Sequence, residues 1–436
     1  MPADDIRPYV LGRSRAKIST LGLFALAALS VGLAQCSGPG GSGNTVPKPT
    51  SSTTATPLPS PSGSASPSPS GSASASASPR ASGSPSSAPS GTPSASASPS
   101  PTPTTRPSPT PSPSPSPSPA QEVYVTTLGT NCSNSILTVY PANPSGTLNE
   151  TPLATILASN TTGLCDPYGV AIDRSGKIYV ANNGVNSLTV YAANPMGTLN
   201  QAPLATIAGQ NTGLNIPTGI AVDASGNIYV ANPGNAAGGG SVTVYAANPS
   251  GTLNEAPLAT ISGGSTGVAS PKGVAVAADG KIYVANAFFN PPSVTVYAAN
   301  PSGTVNGAPL ATITGASTGL YFPNAIAFDA SGNIYVANPL GGSFIGSITV
   351  YAANPSGTLN EAPLATIVGA STGLNVPTGI AVDASGKIYV TNSGNGSGTS
   401  ITVYAANPSG TLNEAPIATI TGNATGLIGP VGIAIH

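Results

Sequence analysis

Two sets of repeated carboxylates are the residues of this chain most able to do chemistry. The aspartates follow a short apolar segment and the glutamates follow Leu-Asn, at Asp173, Asp223, Asp329, Asp383, Glu150, Glu255, Glu361 and Glu414. Carboxylates in such sets can transfer protons or bind a hard cation. Because each recurs in nearly every copy of a repeat, we expect them to stabilise turns. We predict neither a metal site nor a cofactor.

Composition excludes several other kinds of chemistry. The 436 residues include 12 Lys and Arg, 13 Asp and Glu, and one His, which is the last residue, His436. A Ser-His-Asp triad or a His-based zinc site needs an internal His. A nucleic-acid binder needs a basic stripe to meet phosphates, and these scattered cations cannot form one. We therefore expect no nucleic-acid partner.

The residues after position 121 form a repeat array. A Val-Tyr pair precedes a Pro-rich connection six times, with spacings of 51, 54, 52, 54 and 53 residues, at Tyr140, Tyr191, Tyr245, Tyr297, Tyr351 and Tyr404. Each period holds four strand signals, which we name A to D. Residues 219–223, 228–231, 242–245 and 258–261 represent them in one period. They are rich in Val, Ile, Thr and Tyr and are separated by Gly, Asn and Pro, as is typical of short strands.

Serial four-stranded units of this length predict an all-β fold, a β-propeller over residues 122–436. Signals B, C and D occur six times each, whereas A occurs five times between them and a sixth time at 432–436. The last A strand must therefore join the first B, C and D. This predicts six blades with 3+1 strand closure.

Residues 217–232 and 377–392 resemble the core of an NHL repeat. The shared segment is Pro-Thr-Gly-Ile-Ala-Val-Asp-Ala-Ser-Gly, followed after one further residue by Ile-Tyr-Val. The resemblance implies a six-bladed propeller. Two positions depart from the family: Asn stands where Asp is frequent after Val-Ala, and Ser stands where Arg is frequent before strand C. Some NHL domains bind RNA through a basic face, and other relatives are metal-dependent lyases or lactonases.

Strand direction places the B–C and D–A connections together on one face, where propeller enzymes usually have their site. Asp166 and Lys272 are its clear ionisable groups. An aromatic cluster there breaks the symmetry of the repeat and is a candidate binding site, with packing between long loops as the alternative: Phe288, Phe289, Tyr321, Phe322, Phe344 and Ile345. The Asn after five of the six B strands is a second candidate, as a polar mouth or as a turn-satisfying residue: Asn182, Asn232, Asn286, Asn338 and Asn392.

Cys132 and Cys165 both belong to the first blade, in its B–C and outgoing D–A connections. Because exported proteins favour oxidation, we predict a disulfide between them, with two free thiols as the alternative. It would fasten the blade that the two chain ends must close.

Residues 1–35 have the features of a signal peptide, with cations before a short apolar run. Leu33-Ala34-Gln35-Cys36 resembles a bacterial lipobox, so Cys36 is a lipidation candidate; an uncleaved anchor or ordinary cleavage nearby are alternatives. Residues 36–121 predict a disordered Ser/Pro-rich stalk, because they cannot bury enough apolar area to offset ordering entropy. The protein is expected on the outer face of the cell membrane or the cell surface.

These observations favour a tethered, non-enzymatic interaction module for a protein, a peptide or a wall glycan. We expect a monomer that meets the membrane only through its N-terminal anchor. The alternatives are a lactonase- or lyase-like metal-dependent enzyme and a structural surface spacer.

Overall fold

The computed structural model describes residues 121–129, 132–234, 239–287, 291–340, 346–394 and 398–436. These residues form six sheets arranged as a six-bladed β-propeller. The all-β prediction and the six blades are confirmed. Among the described residues, no helix is long and apolar enough to cross a membrane. The predicted signal segment, stalk and lipidation site at Cys36 lie outside the described residues.

Each blade contains the four antiparallel strands that the sequence predicts, in the order A-B-C-D. The A strands are β5 (Pro167–Ile172), β10 (Ile220–Val222), β15 (Pro271–Val276), β20 (Ala325–Phe328), β25 (Pro377–Val382) and β30 (Pro430–Ile435). The B strands are β1 (Glu122–Thr127), β6 (Ile178–Asn182), β11 (Ile228–Asn232), β16 (Ile282–Asn286), β21 (Ile334–Asn338) and β26 (Ile388–Asn392).

The C strands are β2 (Ile136–Pro141), β7 (Ser187–Tyr191), β12 (Ser241–Tyr245), β17 (Ser293–Tyr297), β22 (Ser347–Tyr351) and β27 (Ser400–Tyr404). The D strands are β4 (Ala154–Leu157), β9 (Ala205–Ala208), β14 (Ala259–Ile261), β19 (Ala311–Thr314), β24 (Ala365–Ile367) and β29 (Ala418–Ile420). Short 3-10 turns occur at Asn183–Val185, Ala316–Thr318, Ala370–Thr372 and Asn423–Thr425.

A fifth strand in every sheet comes from the next blade and was not predicted. Each is a three-residue segment of a C–D connection, at β3 (Gly146–Leu148), β8 (Gly197–Leu199), β13 (Gly251–Leu253), β18 (Gly303–Val305), β23 (Gly357–Leu359) and β28 (Gly410–Leu412). We call these the latch strands. Each pairs in parallel with strand D of the preceding blade, as β13 pairs with β9. The latch strands therefore cover the outer edges that the blades would otherwise expose.

The apolar core consists of six clusters, each between two adjacent blades. Because each sheet packs between two others, its strands need apolar side chains on both faces. Strand β6, with the sequence Ile-Tyr-Val-Ala-Asn, is an example and is buried at all five positions. Blades are numbered by their B strands, so that blade 1 contains β1 and blade 6 contains β26. The cluster that joins blades 6 and 1 includes Tyr389, Val125 and Ile433.

Strand β30 closes the ring by pairing with β1. Latch strand β3 of blade 1 pairs with β29 of blade 6 and closes it a second time. The A strands line the axis. We call the side that carries the B–C and D–A connections the upper face, and the side that carries the A–B and C–D connections the lower face.

Candidate functional site

The axis of the propeller is narrow because a glycine stands near the start of five of its six A strands. A Cβ built on Gly169 would lie 2.3 Å from the carbonyl oxygen of Thr218 in the next blade. One built on Gly432 would lie 2.3 Å from the carbonyl oxygen of Tyr168. The cavity left between the A strands is about 70 Å³. It is small beside the ~300–1,000 Å³ of typical ligand pockets.

The residue before each of these positions lies at the upper end of the axis. We call the six together the mouth ring: Tyr168, Thr218, Lys272, Asn324, Thr378 and Val431. Five residue types occur at these six positions, although neighbouring segments of the repeat are nearly identical. The A strand that follows has nearly the same sequence in every blade, as expected of a structural element, whereas the residue in the mouth ring differs between most blades.

Three polar side chains of the mouth ring bind the neighbouring blade. Thr218 Oγ1 donates to the carbonyl oxygen of Lys272 at 2.9 Å, and Asn324 Nδ2 donates to that of Thr378 at 2.6 Å. Thr378 Oγ1 donates to the carbonyl oxygen of Pro430 at 3.0 Å. These side chains therefore fix the spacing of the A strands at the mouth.

Tyr168 crosses the mouth. Its hydroxyl, in blade 2, donates to Asn324 Oδ1 in blade 5 at 3.0 Å, and these two blades lie on opposite sides of the ring. Lys272 Nζ lies 5.9 Å from the centroid of the Tyr168 ring, within reach of a cation–π interaction. Burial lowers the pKa of Lys272 and raises that of Tyr168. The mouth thus has an aromatic floor with a cation beside it.

The residue that precedes the proline at the start of each A strand has a left-handed backbone. Five of the six are not glycine: Asp166, Ile216, Ser270, Phe322 and Val376. A β-branched side chain is strained in this region, and Ile216 and Val376 both have φ of 55°. The Ile216 N–H donates to Asn186 Oδ1 at 2.6 Å, which holds that strained turn. Strain maintained around one opening is a common feature of binding sites.

The aromatic cluster predicted on this face is only partly within the described residues. Tyr321 is 45% exposed, and its ring meets that of Phe322 edge-on at 5.2 Å between centroids. Both lie in the D–A connection that enters β20 and the mouth at Asn324. Phe288, Phe289, Phe344 and Ile345 lie outside the described residues, so the cluster as a whole stays a prediction.

The five asparagines do not line a polar mouth. Asn182, Asn232, Asn286, Asn338 and Asn392 are each at most 1% exposed. Asn232 is representative: its Oδ1 accepts the Asn215 N–H at 3.1 Å, and its Nδ2 donates to Thr243 Oγ1 at 3.0 Å. Each side chain therefore links a D–A connection to strand C. This is the structural role predicted from the sequence as the alternative to a polar mouth.

Replacing Asn232 with Ala is expected to destabilise the protein by about 3 kcal/mol, because the buried Thr243 hydroxyl and the Asn215 N–H both lose their partner. Chemical unfolding followed by circular dichroism measures the loss. Asn160→Ala, at an exposed position, is the control and should change stability by less than about 0.5 kcal/mol. Equal unfolding midpoints for the two variants would contradict the structural role.

The repeated aspartates stabilise A–B turns, as predicted. Asp173 Oδ1 accepts the Ser175 and Lys177 N–H groups at 2.8 and 3.0 Å, and its Oδ2 accepts the Tyr179 hydroxyl at 3.0 Å. Burial raises the pKa of Asp173, but these hydrogen bonds outweigh it and hold the pKa below its ordinary value. Four glutamates are exposed, and each follows an Asn whose Oδ1 accepts an N–H from the D–A connection that leaves the preceding blade: Glu150, Glu255, Glu361 and Glu414.

The structure joins Cys132 and Cys165 in a disulfide. It links the B–C connection of blade 1 to the D–A connection that leaves that blade. Asp166 Oδ1 accepts the Cys132 N–H and the Ser135 hydroxyl, both at 3.2 Å. The carboxylate of Asp166 therefore belongs to the same local network. Among the described residues, these two cysteines and Asp166 are the one close group of metal-ligand residue types, but both sulfurs belong to the disulfide and are not thiolate ligands.

Sequence reasoning missed Tyr168 and Asn324 as site residues. A signal in the sequence could have identified them. Both occupy the second position of Pro-x-Gly or Pro-x-Ala, and this position varies among the repeats while the residues around it are nearly the same in each. It identified Lys272 as an ionisable group of this face but did not place it at the axis.

Residues 374–397, which include β25 and β26, match the model of the NHL repeat. The resemblance to this repeat is confirmed, and it lies on a six-bladed propeller. No curated protein matches the chain.

Several solved structures are similar in fold. A protein of unknown function from Bacteroides caccae is 12% identical with a TM-score of 0.48, over 72% of this chain and 98% of that one. A nidogen/laminin complex is 14% identical with a TM-score of 0.44, over 72% and 98%. A gluconolactonase from Xanthomonas campestris is 16% identical with a TM-score of 0.36, over 65% and 82%.

Proposed function

We propose that this protein is a non-enzymatic binding module, displayed on the cell surface by its N-terminal segment, and that it binds a partner macromolecule through the upper face. The observation that carries the proposal is the mouth ring. In a molecule built from nearly identical blades, its side chains change from blade to blade where the axis opens. A surface that served only as a spacer would need no such variation.

The chemistry of the upper face favours binding over catalysis. General acid–base catalysis needs a positioned titratable group, and the D–A and B–C connections contain one acidic residue, Asp166. That carboxylate accepts hydrogen bonds from Cys132 and Ser135. The cavity of about 70 Å³ beneath the mouth has room for a few waters. A ligand at the mouth must therefore lie on the face rather than inside the axis.

Exposed apolar side chains on the upper face support a macromolecular partner. Val185 is 51% exposed, Tyr321 is 45% exposed and Ile428 is 69% exposed. Ile216, Phe322 and Val376 are partly exposed beside the same opening. We call these six side chains the apolar rim. Exposed apolar and aromatic side chains grouped on one surface are typical of sites that bind macromolecules.

Photo-crosslinking in cells that carry the full-length protein tests this proposal. A photoreactive phenylalanine analogue is placed at Tyr321 on the upper face and, in a matched variant, at Leu258, which is 55% exposed on the lower face. We expect crosslinked products at position 321 that are absent at position 258. Equal products at both positions, or none at 321, would overturn the proposal.

A further inference from the structure

Lys272 is the charged member of the mouth ring, and the B–C and D–A connections around the axis carry little other charge. In sequence, the B–C and D–A connections contain no Lys, Arg, His or Glu, and Asp166 is their one Asp. The Asp166 carboxylate is bound to the Cys132 N–H and the Ser135 hydroxyl in blade 1. The remaining cations of the propeller, Arg174, Lys177, Lys281, Lys387 and His436, follow A strands on the lower face. The axis therefore presents a positive charge at its upper end.

The surroundings of Lys272 hold that charge in place and reduce its hydration. The Tyr168 ring lies beside its ammonium group, and the Tyr168 hydroxyl is fixed to Asn324 on the opposite side of the mouth. Burial lowers the pKa of Lys272 because dehydration disfavours its charged form, and an anion placed beside it would favour that form. A positioned, partly dehydrated cation attracts an anion more strongly than a fully solvated lysine does.

The shape of the site limits how an anion can reach it. The narrow axis, with glycines packed against neighbouring carbonyl oxygens, admits no large group. The apolar rim surrounds the opening. A small anionic group carried on an apolar chain fits both conditions, whereas a uniformly hydrophilic polymer would leave the rim exposed to water.

On the basis of the proposed function, we infer that the mouth binds an Asp or Glu side chain of a partner protein: its carboxylate pairs with Lys272, and apolar residues beside it in the partner pack on the apolar rim. The inference names the ligand chemistry of the upper face. An acidic wall glycan would supply the same carboxylate and is the competing outcome of the test.

Selection of a displayed random-peptide library on the immobilised full-length protein provides the probe. We expect enriched peptides in which Asp or Glu has apolar neighbours. Binding of an enriched peptide, measured by fluorescence anisotropy, should weaken at least about tenfold in Lys272→Met. Lys177→Met removes the same charge from the lower face, where Lys177 Nζ binds Asn248 Oδ1, and should change affinity by less than about twofold.

Two further measurements keep the test independent of folding defects in Lys272→Met. Lys272→Arg keeps the charge and should retain most of the affinity, and binding to the unmodified protein should weaken as ionic strength rises. Enriched peptides without acidic residues, or equal affinity of Lys272→Met and the unmodified protein, would overturn the inference. Binding of polygalacturonate in place of peptides would overturn it in favour of a glycan. If crosslinks at position 321 persist in any of these cases, the proposed binding role stands and only the ligand chemistry is wrong.

Discussion

Removal of residues 430–436 is expected to abolish the cooperative unfolding of the propeller. These residues form β30, which supplies the A strand of blade 1 and pairs with β1. Val431 and Ile433 are 3% and 8% exposed, and burying two such side chains contributes about 4 kcal/mol. The hydrogen bonds of β30 add about 1 kcal/mol each. Together they approach the net stability of a whole domain, about 5–15 kcal/mol.

The second closure should not compensate for this loss. Latch strand β3 pairs with β29 through three residues, and its Gly146 and Thr147 are exposed. Without β30, the cluster between blades 6 and 1 loses Ile433 and opens to water. The latch can hold the outer edge, but it cannot replace the buried strand at the axis.

Thermal unfolding followed by circular dichroism measures the effect of the truncation. A synthetic peptide of residues 430–436 should restore the transition when added to the truncated protein, because it can add as a strand to β1. The same peptide with Gly432→Val is the matched control and should not, since a Cβ there meets the carbonyl oxygen of Tyr168. If the truncated protein melts at the temperature of the full chain, the closed ring does not depend on β30.

Sequence patterns predicted the elements whose partners are local. Asp-x-Ser-Gly turns link strands A and B in blades 2, 3, 5 and 6, so these hairpins follow from adjacent residues. The count of blades follows from the repeated strand signals. The latch strands were missed because each pairs with the preceding blade rather than its own. Segments such as Gly251–Leu253 are three residues long and lie among Pro, Asn and Gly, where no strand pattern can be recognised.

The candidate site was predicted less well, for two physical reasons. Asn232 ends a B strand, where a side chain can face solvent or cap a connection, and only the fold brings the Asn215 N–H to its Oδ1. Tyr168 and Asn324 meet across the axis from opposite blades. Sequence spacing cannot show such a contact, but comparison of the same position in all repeats can mark both residues as exceptional.

Replacing Gly169 with Ala is expected to destabilise the protein by about 3 kcal/mol, because an overpacked backbone contact cannot relax as a side chain can. The new Cβ would meet the Thr218 carbonyl oxygen at 2.3 Å and the Ile220 nitrogen at 3.0 Å. At a glycine with open space around it, an added methyl group should have the opposite effect on stability. Gly264 has nothing within 4 Å of a built Cβ, so Gly264→Ala should be neutral or stabilise by up to about 1 kcal/mol through the unfolded state.

The two Gly→Ala variants separate steric closure of the axis from ordinary glycine effects, since the same methyl group is added in both. Chemical unfolding should give a lower midpoint for Gly169→Ala than for the unmodified protein, and an unchanged or higher midpoint for Gly264→Ala. Blade 5 carries Ala325 at the position of Gly169, so one blade accommodates the methyl group. Ala325→Gly should therefore lose stability by about 0.5–1 kcal/mol, as glycine does within a strand. If Gly169→Ala were instead as stable as Gly264→Ala, the axis would be wider than its glycines indicate, and the argument that ligands must bind on the upper face would fail.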